Sequence, residues 1–110
     1  MSQIPQDEAS KEKMQLLLFQ LVELLKDPPI VINLQDWRDS VEDVIDEIEE
    51  LSSFAYDRLQ DLVAEAIRRA EVHVRDLDSD VPPQQTEKSY HEYFAQVAFV
   101  SSEINALKSL

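Results

Sequence analysis

The apolar residues of this chain recur at steps of three and four, the spacing of an amphipathic α-helix, in three segments that pairs of prolines separate. The first segment covers residues from about 6 to 26, and its stripe consists of Met14, Leu17, Leu18, Leu21, Leu24 and Leu25. The last segment covers about 87 to 108, with a stripe of Tyr90, Tyr93, Phe94, Val97, Ala98, Ile104 and Leu107. No stretch alternates apolar and polar residues as a strand does. The pattern predicts one all-α domain over residues 1–110.

The middle segment, from about residue 34 to 77, allows two interpretations. Its apolar positions are 34, 37, 41, 44, 48, 51 and 55 in a heptad-like rhythm, and after a phase shift they continue on 59, 62, 66, 70, 74 and 77. The segment is either one continuous or gently kinked helix, or two helices with a joint near Ser52 and Ser53. Because the joint contains no Gly, Pro or Asn, we favour one helix about 66 Å long. We therefore predict a helical bundle built around one long central helix, continuous or kinked near 52–53, with shorter N- and C-terminal helices.

The two proline pairs mark the ends of the helices. Pro28-Pro29 and Pro82-Pro83 lack the backbone donor that a helix needs and restrict the residue before them. Ile30, Val31 and Ile32 follow the first pair, and we expect them to form a short apolar plug over one end of the core.

The chain of 110 residues contains neither Gly nor Cys. Phosphate-binding loops, the EF-hand loop and the strand-to-helix nucleophile elbow all need Gly, and disulfides and thiolate metal sites need Cys. The two imidazoles, His73 and His91, are predicted to be surface residues or helix-end cations. Neither has a Glu three residues before it, as di-iron bundles require. We therefore expect no cofactor, no metal site and no enzymatic activity.

Charge is the second unusual feature, because 10 Lys and Arg stand against 23 Asp and Glu and give a net charge of −13. Such acidity opposes direct binding to nucleic acid or to anionic lipid. The sequence contains no pattern of a signal peptide or a membrane span. We expect a cytoplasmic protein whose charged partner is another, basic protein.

Eight acids and one base, Arg38, lie within residues 36–50. Like charges three or four residues apart destabilise a helix slightly, so the cluster either serves solubility or forms a docking surface. The predicted partner-binding residues are Asp39, Glu42, Asp43, Asp46, Glu47 and Glu50. On this basis the protein is an adaptor, assembly factor or regulator; the alternatives are a structural homodimer whose acidic surface serves solubility, and a nucleic-acid mimic that inhibits a DNA-binding protein.

A long helix would also explain how the chain associates with itself. Arginines are frequent in residues 57–76, so two antiparallel long helices that cross near Ser52 would place acidic and basic halves side by side. This arrangement predicts a two-fold homodimer. Its seam would consist of Trp37, Val41, Val44, Ile48, Leu51, Ala55, Arg68, Arg69 and Arg75.

Overall fold

A computed structural model describes residues 7–109 of the chain. It contains four α-helices, which are α1 (Glu8–Lys26), α2 (Leu34–Leu51), α3 (Ser53–Leu77) and α4 (Pro83–Lys108). A 3₁₀ turn, Val31–Asn33, connects α1 to α2, and the described part contains no β-strand. The predicted all-α helical bundle is confirmed. Residue 6, where the sequence placed the start of the first helix, lies outside the described residues.

The four helices form an antiparallel bundle in which each helix packs against two neighbours. α1 lies between α2 and α4, and α3 lies on the other side between the same two helices, so α2 and α4 occupy diagonal corners. Across that diagonal, the ring of Trp37 packs edge-on against Tyr93 with 6.3 Å between the centroids. The largest fully buried side chains are Tyr93, Leu21, Leu25, Ile48, Leu59 and Ile104.

The prediction of one long central helix is wrong, because the chain reverses direction at Ser52, between α2 and α3. This residue has an extended backbone, with φ −160° and ψ 107°, between α2 and α3. Its Oγ accepts the N–H of Ala55 at 3.1 Å, and its own N–H donates to the carbonyl of Ile48 at 2.8 Å. A serine that caps both helices therefore supplies the reversal for which no glycine is present. The two-helix alternative is the correct one.

The predicted apolar plug is also wrong. Ile30, Val31 and Ile32 are exposed, and 90% of Ile32 lies in solvent. The Oδ1 atom of Asn33 accepts the N–H of Ile30 at 2.8 Å and closes a tight turn that leaves these side chains outside the core. The residue that is fully buried in this connection is Pro29.

The helix ends follow ordinary capping chemistry. The Oδ2 atom of Asp7 accepts the N–H of Ser10 at 3.0 Å at the start of α1. Hydrogen bonding with the side chain of Ser10, and then this backbone hydrogen bond, lowers the pKa of the Asp7 carboxyl. α4 begins at Pro83, before the predicted residue 87, because proline needs no hydrogen-bond acceptor in a first turn.

Candidate partner-binding surface

The predicted partner-binding residues lie together on the outer side of α2. The opposite side of this helix is buried through Trp37, Val41, Val44, Ile45 and Ile48. The 3.6-residue period then directs the intervening acids to solvent. We call these exposed carboxylates the acidic face of α2; they are Asp36, Asp39, Glu42, Asp43, Asp46, Glu47, Glu49 and Glu50.

The acidic face is only partly neutralised by the protein itself. Arg38 is its one base, and the guanidinium lies 3.4 Å from Glu42 and 3.1 Å from Glu71 of α3. The side-chain amide of Gln35 donates to Asp39 at 2.8 Å. Within residues 7–109, no ion pair involves the five carboxylates of Asp43, Asp46, Glu47, Glu49 and Glu50. These two turns of α2 therefore present uncompensated negative charge.

Tyr56, at the start of α3, responds to this charge. Partial desolvation raises the pKa of its phenol, and the nearby carboxylates of Glu49 and Asp46 raise it further. A negative field favours the neutral phenol over the phenolate. The same field would favour a cation of a binding partner.

An open groove runs along the acidic face, between α2 and α1. Its volume is about 460 Å³, and its lining consists of Phe19, Gln20, Glu23, Leu24, Ser40, Asp43 and Val44. The indole N–H of Trp37 donates to the carbonyl of Leu24 at 2.8 Å and holds the two helices in register beneath it. Phe19 is 56% exposed. The groove thus combines an apolar floor and an exposed aromatic ring with carboxylates at its edge.

The residues predicted as a dimer seam have other positions in the structure. Trp37, Val41, Val44, Ile48 and Ala55 are buried in the core of a single chain, and Leu51 packs against that core. The other helices already cover these side chains, because α2 folds back against α3 at Ser52. A second copy finds no free seam there.

The arginines of the predicted seam make contacts within the chain. Arg68 and Arg69 both hydrogen-bond to Glu65, and these hydrogen bonds lower the pKa of the Glu65 carboxyl to about 2. Arg69 also donates to the carbonyl of Glu92 in α4 at 2.8 Å. Arg75 is exposed and forms no ion pair within residues 7–109. The seam arginines therefore mainly support α3 and its contact with α4.

Sequence reasoning missed one polar pair, His73 and Ser89, which comes together only in the folded chain. Both side chains are buried, although His73 was expected at the surface, and its Nδ1 lies 3.1 Å from the Oγ of Ser89. The Oγ of Ser89 also lies 3.0 Å from the carbonyl of Thr86, one turn earlier in α4. The tautomer of the imidazole decides which group donates in the His73–Ser89 pair. The pair joins α3 to α4.

Other chemistry finds little support in the described part of the chain. His91 is exposed, and its Nε2 lies 3.6 Å from Glu87 one turn earlier. Residues 7–109 contain no group of three or more histidines and carboxylates with the geometry of a metal site. None of the described helices has the length and apolar character to cross a membrane.

In a comparison with known proteins, no protein-family model, no curated protein and no solved structure matches this chain. The fold and its surface define the class of the protein as an acidic, antiparallel four-helix bundle.

Proposed function

We propose that this protein is a non-enzymatic helical interaction protein, an adaptor, assembly factor or regulator, that docks a basic partner protein on the acidic face of α2. One observation carries the proposal: five neighbouring carboxylates, from Asp43 to Glu50, have no ion pair within residues 7–109. On α3, Glu65 and Glu71 have arginine partners, whereas Asp57 and Asp61 have none within residues 7–109. The chain thus places its cations elsewhere and leaves this surface for cations of another molecule. We propose that the protein binds this partner in the cytoplasm.

The groove beside the acidic face supports this interpretation over a surface that serves only solubility. Solubility needs charge alone, whereas here an exposed phenylalanine and an apolar floor accompany the charge. Interfaces with another protein combine an apolar centre with a polar rim. The partner segment that fits is an amphipathic helix, with one apolar side chain beside Phe19 and Lys or Arg opposite Asp43 and Glu47.

Charge reversal on α2 tests the proposal. We expect the double variant Asp43→Lys, Glu47→Lys to lose the partners that the wild-type protein captures on an affinity resin, as identified by mass spectrometry. The matched control is Asp57→Lys, Asp61→Lys, which changes the net charge equally at exposed positions of α3 with the same spacing. The control should retain those partners.

Salt provides the second measurement. Binding through exposed charges should weaken by about tenfold or more between about 50 mM and 300 mM NaCl, since the Debye length falls over that range. Equal loss of partners in both double variants would show that only net charge matters and would refute a docking surface on α2. Affinity that salt does not change would refute it as well.

A further inference from the structure

Among the Asp, Glu, Lys and Arg residues that the structure describes, Asp76 of α3 is the only one that is buried, with 7% of its surface exposed. Its carboxylate forms no ion pair within residues 7–109. The side-chain amide of Gln85 in α4 donates to it at 3.3 Å. Nearby cations do not reach it, because Arg75 is exposed and Lys88 pairs with Glu92. The described chain therefore supplies no cation for its one buried carboxylate.

Burial of this carboxylate is costly, because a charge that leaves water needs a counterion or several hydrogen bonds in exchange. A carboxylate has about four positions that accept a hydrogen bond. The hydrogen bond from Gln85 is long and comes from a neutral amide, which contributes less than a charged donor does. Gln85 belongs to the first turn of α4, and the positive end of that helix offsets a part of the cost. Asp76 thus retains acceptor positions for a further, positively charged donor.

Asp76 lines an open groove between α3 and α4, which gives a ligand access to it. The volume of the groove is about 490 Å³. Val72 and Asp76 line it from α3, and Gln84, Gln85 and Ser89 line it from α4. The two side-chain amides and the hydroxyl carry oxygen atoms that accept hydrogen bonds. The groove therefore combines a buried negative charge with several neutral acceptors and little apolar surface.

We infer that the α3–α4 groove binds a small polar molecule through one protonated amine, with Asp76 as its counterion. An ammonium group has three donors, which suit the Asp76 carboxylate together with the side-chain oxygens of Gln84, Gln85 or Ser89. A net charge of −13 attracts a cation and repels an anion. A metal ion would need more ligands, and residues 7–109 contain no group of three carboxylates or imidazoles that suits one. A protein segment would need an apolar centre, which this groove lacks.

The amine site is independent of the proposed docking of a basic partner. It lies between α3 and α4, whereas the partner groove lies between α1 and α2. It uses none of the carboxylates of α2, and its test needs no partner protein. Ethanolamine is a suitable probe, because it joins one ammonium group to one hydroxyl. Such a small molecule makes few contacts, so we expect a Kd on the order of a few millimolar.

Titration of isotope-labelled protein with ethanolamine at pH 7 and constant ionic strength, followed by two-dimensional NMR, tests the site. We expect saturable shifts at the groove, including the side-chain amides of Gln84 and Gln85. Asp76→Asn keeps the shape of the side chain and removes its charge, so it should weaken binding at least tenfold. The matched control is Asp78→Asn, which removes the same charge at an exposed position two residues away. It should weaken binding by no more than about twofold. Ethylene glycol, in which a hydroxyl replaces the ammonium, should cause no saturable shifts.

Val72→Lys gives a second readout that leaves Asp76 in place. It puts a tethered ammonium one turn before Asp76 in the lining of the same groove, and it should weaken ethanolamine binding at least tenfold. Val72→Gln, a polar side chain without charge, should bind within about threefold of the wild-type protein. The inference is overturned if wild-type protein shows no saturable shifts up to about 100 mM ethanolamine, or shifts only outside the groove. Equal binding of ethylene glycol, equal weakening in Asp76→Asn and Asp78→Asn, or unchanged binding in Val72→Lys overturns it too.

Discussion

At the scale of single residues, two aromatic side chains replace hydrogen bonds that the first proline pair removes. In a continuing helix, the carbonyls of Leu24 and Leu25 would accept the N–H groups of residues 28 and 29, and both of these are prolines. The indole N–H of Trp37 donates to the Leu24 carbonyl, and the hydroxyl of Tyr93 donates to the Leu25 carbonyl. The end of α1 is thereby satisfied from α2 and α4, which ties three helices together.

We expect Tyr93→Phe to lower the free energy of unfolding by about 1–3 kcal/mol at pH 7, because it leaves a buried carbonyl without its donor. Chemical denaturation with urea measures the change. Tyr90→Phe is the control, since Tyr90 is exposed. A loss of stability in the control that equals the loss in Tyr93→Phe would contradict the assigned role.

We expect Tyr93 also to make the free energy of unfolding fall at alkaline pH. Burial raises the pKa of the Tyr93 phenol, and the negative charge of Asp27 raises it further. The unfolded chain therefore loses this proton first, near pH 10, and the stability that the neutral phenol contributes falls as the pH rises above about 10. Tyr93→Phe should show a shallower decline in unfolding free energy between about pH 10 and 11 than the wild-type protein. An identical decline in both would exclude this linkage.

At the scale of secondary-structure elements, Ser52 decides how the middle of the chain folds. Its side chain caps α3 by accepting the N–H of Ala55. We expect Ser52→Ala to lower the free energy of unfolding by about 1 kcal/mol, because a buried N-cap is lost. In one continuous helix the same substitution would increase stability, since Ala is the better helix former.

Ser53→Ala is the control for this prediction, because Ser53 is the exposed first residue of α3. Its unfolding midpoint in urea should differ little from that of the wild-type protein. If Ser52→Ala proves as stable as Ser53→Ala, the reversal does not depend on the serine cap.

At the scale of the whole molecule, the acidic face is a source of instability that the fold tolerates. Glu47 has like-charged neighbours at Asp43 and Glu50 on the same face. We expect Glu47→Lys to raise the free energy of unfolding by about 0.5 kcal/mol, because repulsive pairs three and four residues apart become attractive. The gain should shrink as NaCl is added.

Glu71→Lys is the opposite case with the same change of net charge. Glu71 pairs with Arg38 at 3.1 Å, so its reversal should lower the free energy of unfolding. Urea titrations of both variants at low and high salt compare local with overall electrostatics. Stabilisation of both variants by the same amount would show that net charge, and not the placement of charge on α2, governs stability.

The sequence by itself determined the helical class, the proline-marked connections and the outward position of the α2 acids. These features depend on local chemistry: a 3.6-residue period, missing backbone donors and the side of a helix opposite its apolar stripe. The heptad-like rhythm through residues 34–77, however, is the same for a long rod and for two helices folded on one another. The pattern records which residues are buried, but not which helix covers them.

The tertiary structure alone decided the rest. The chain reverses at Ser52 instead of forming the expected long helix, because one serine can end α2 and begin α3 without a glycine. The fold moved Trp37 and its neighbours from a predicted dimer seam into the core, and it brought His73 to Ser89 and Tyr93 to the end of α1. Such contacts join residues far apart in the chain, where no local periodicity reports distance. The absence of glycine limits the backbone conformations that the loops of this protein can adopt. Packing between the helices determines where the chain turns.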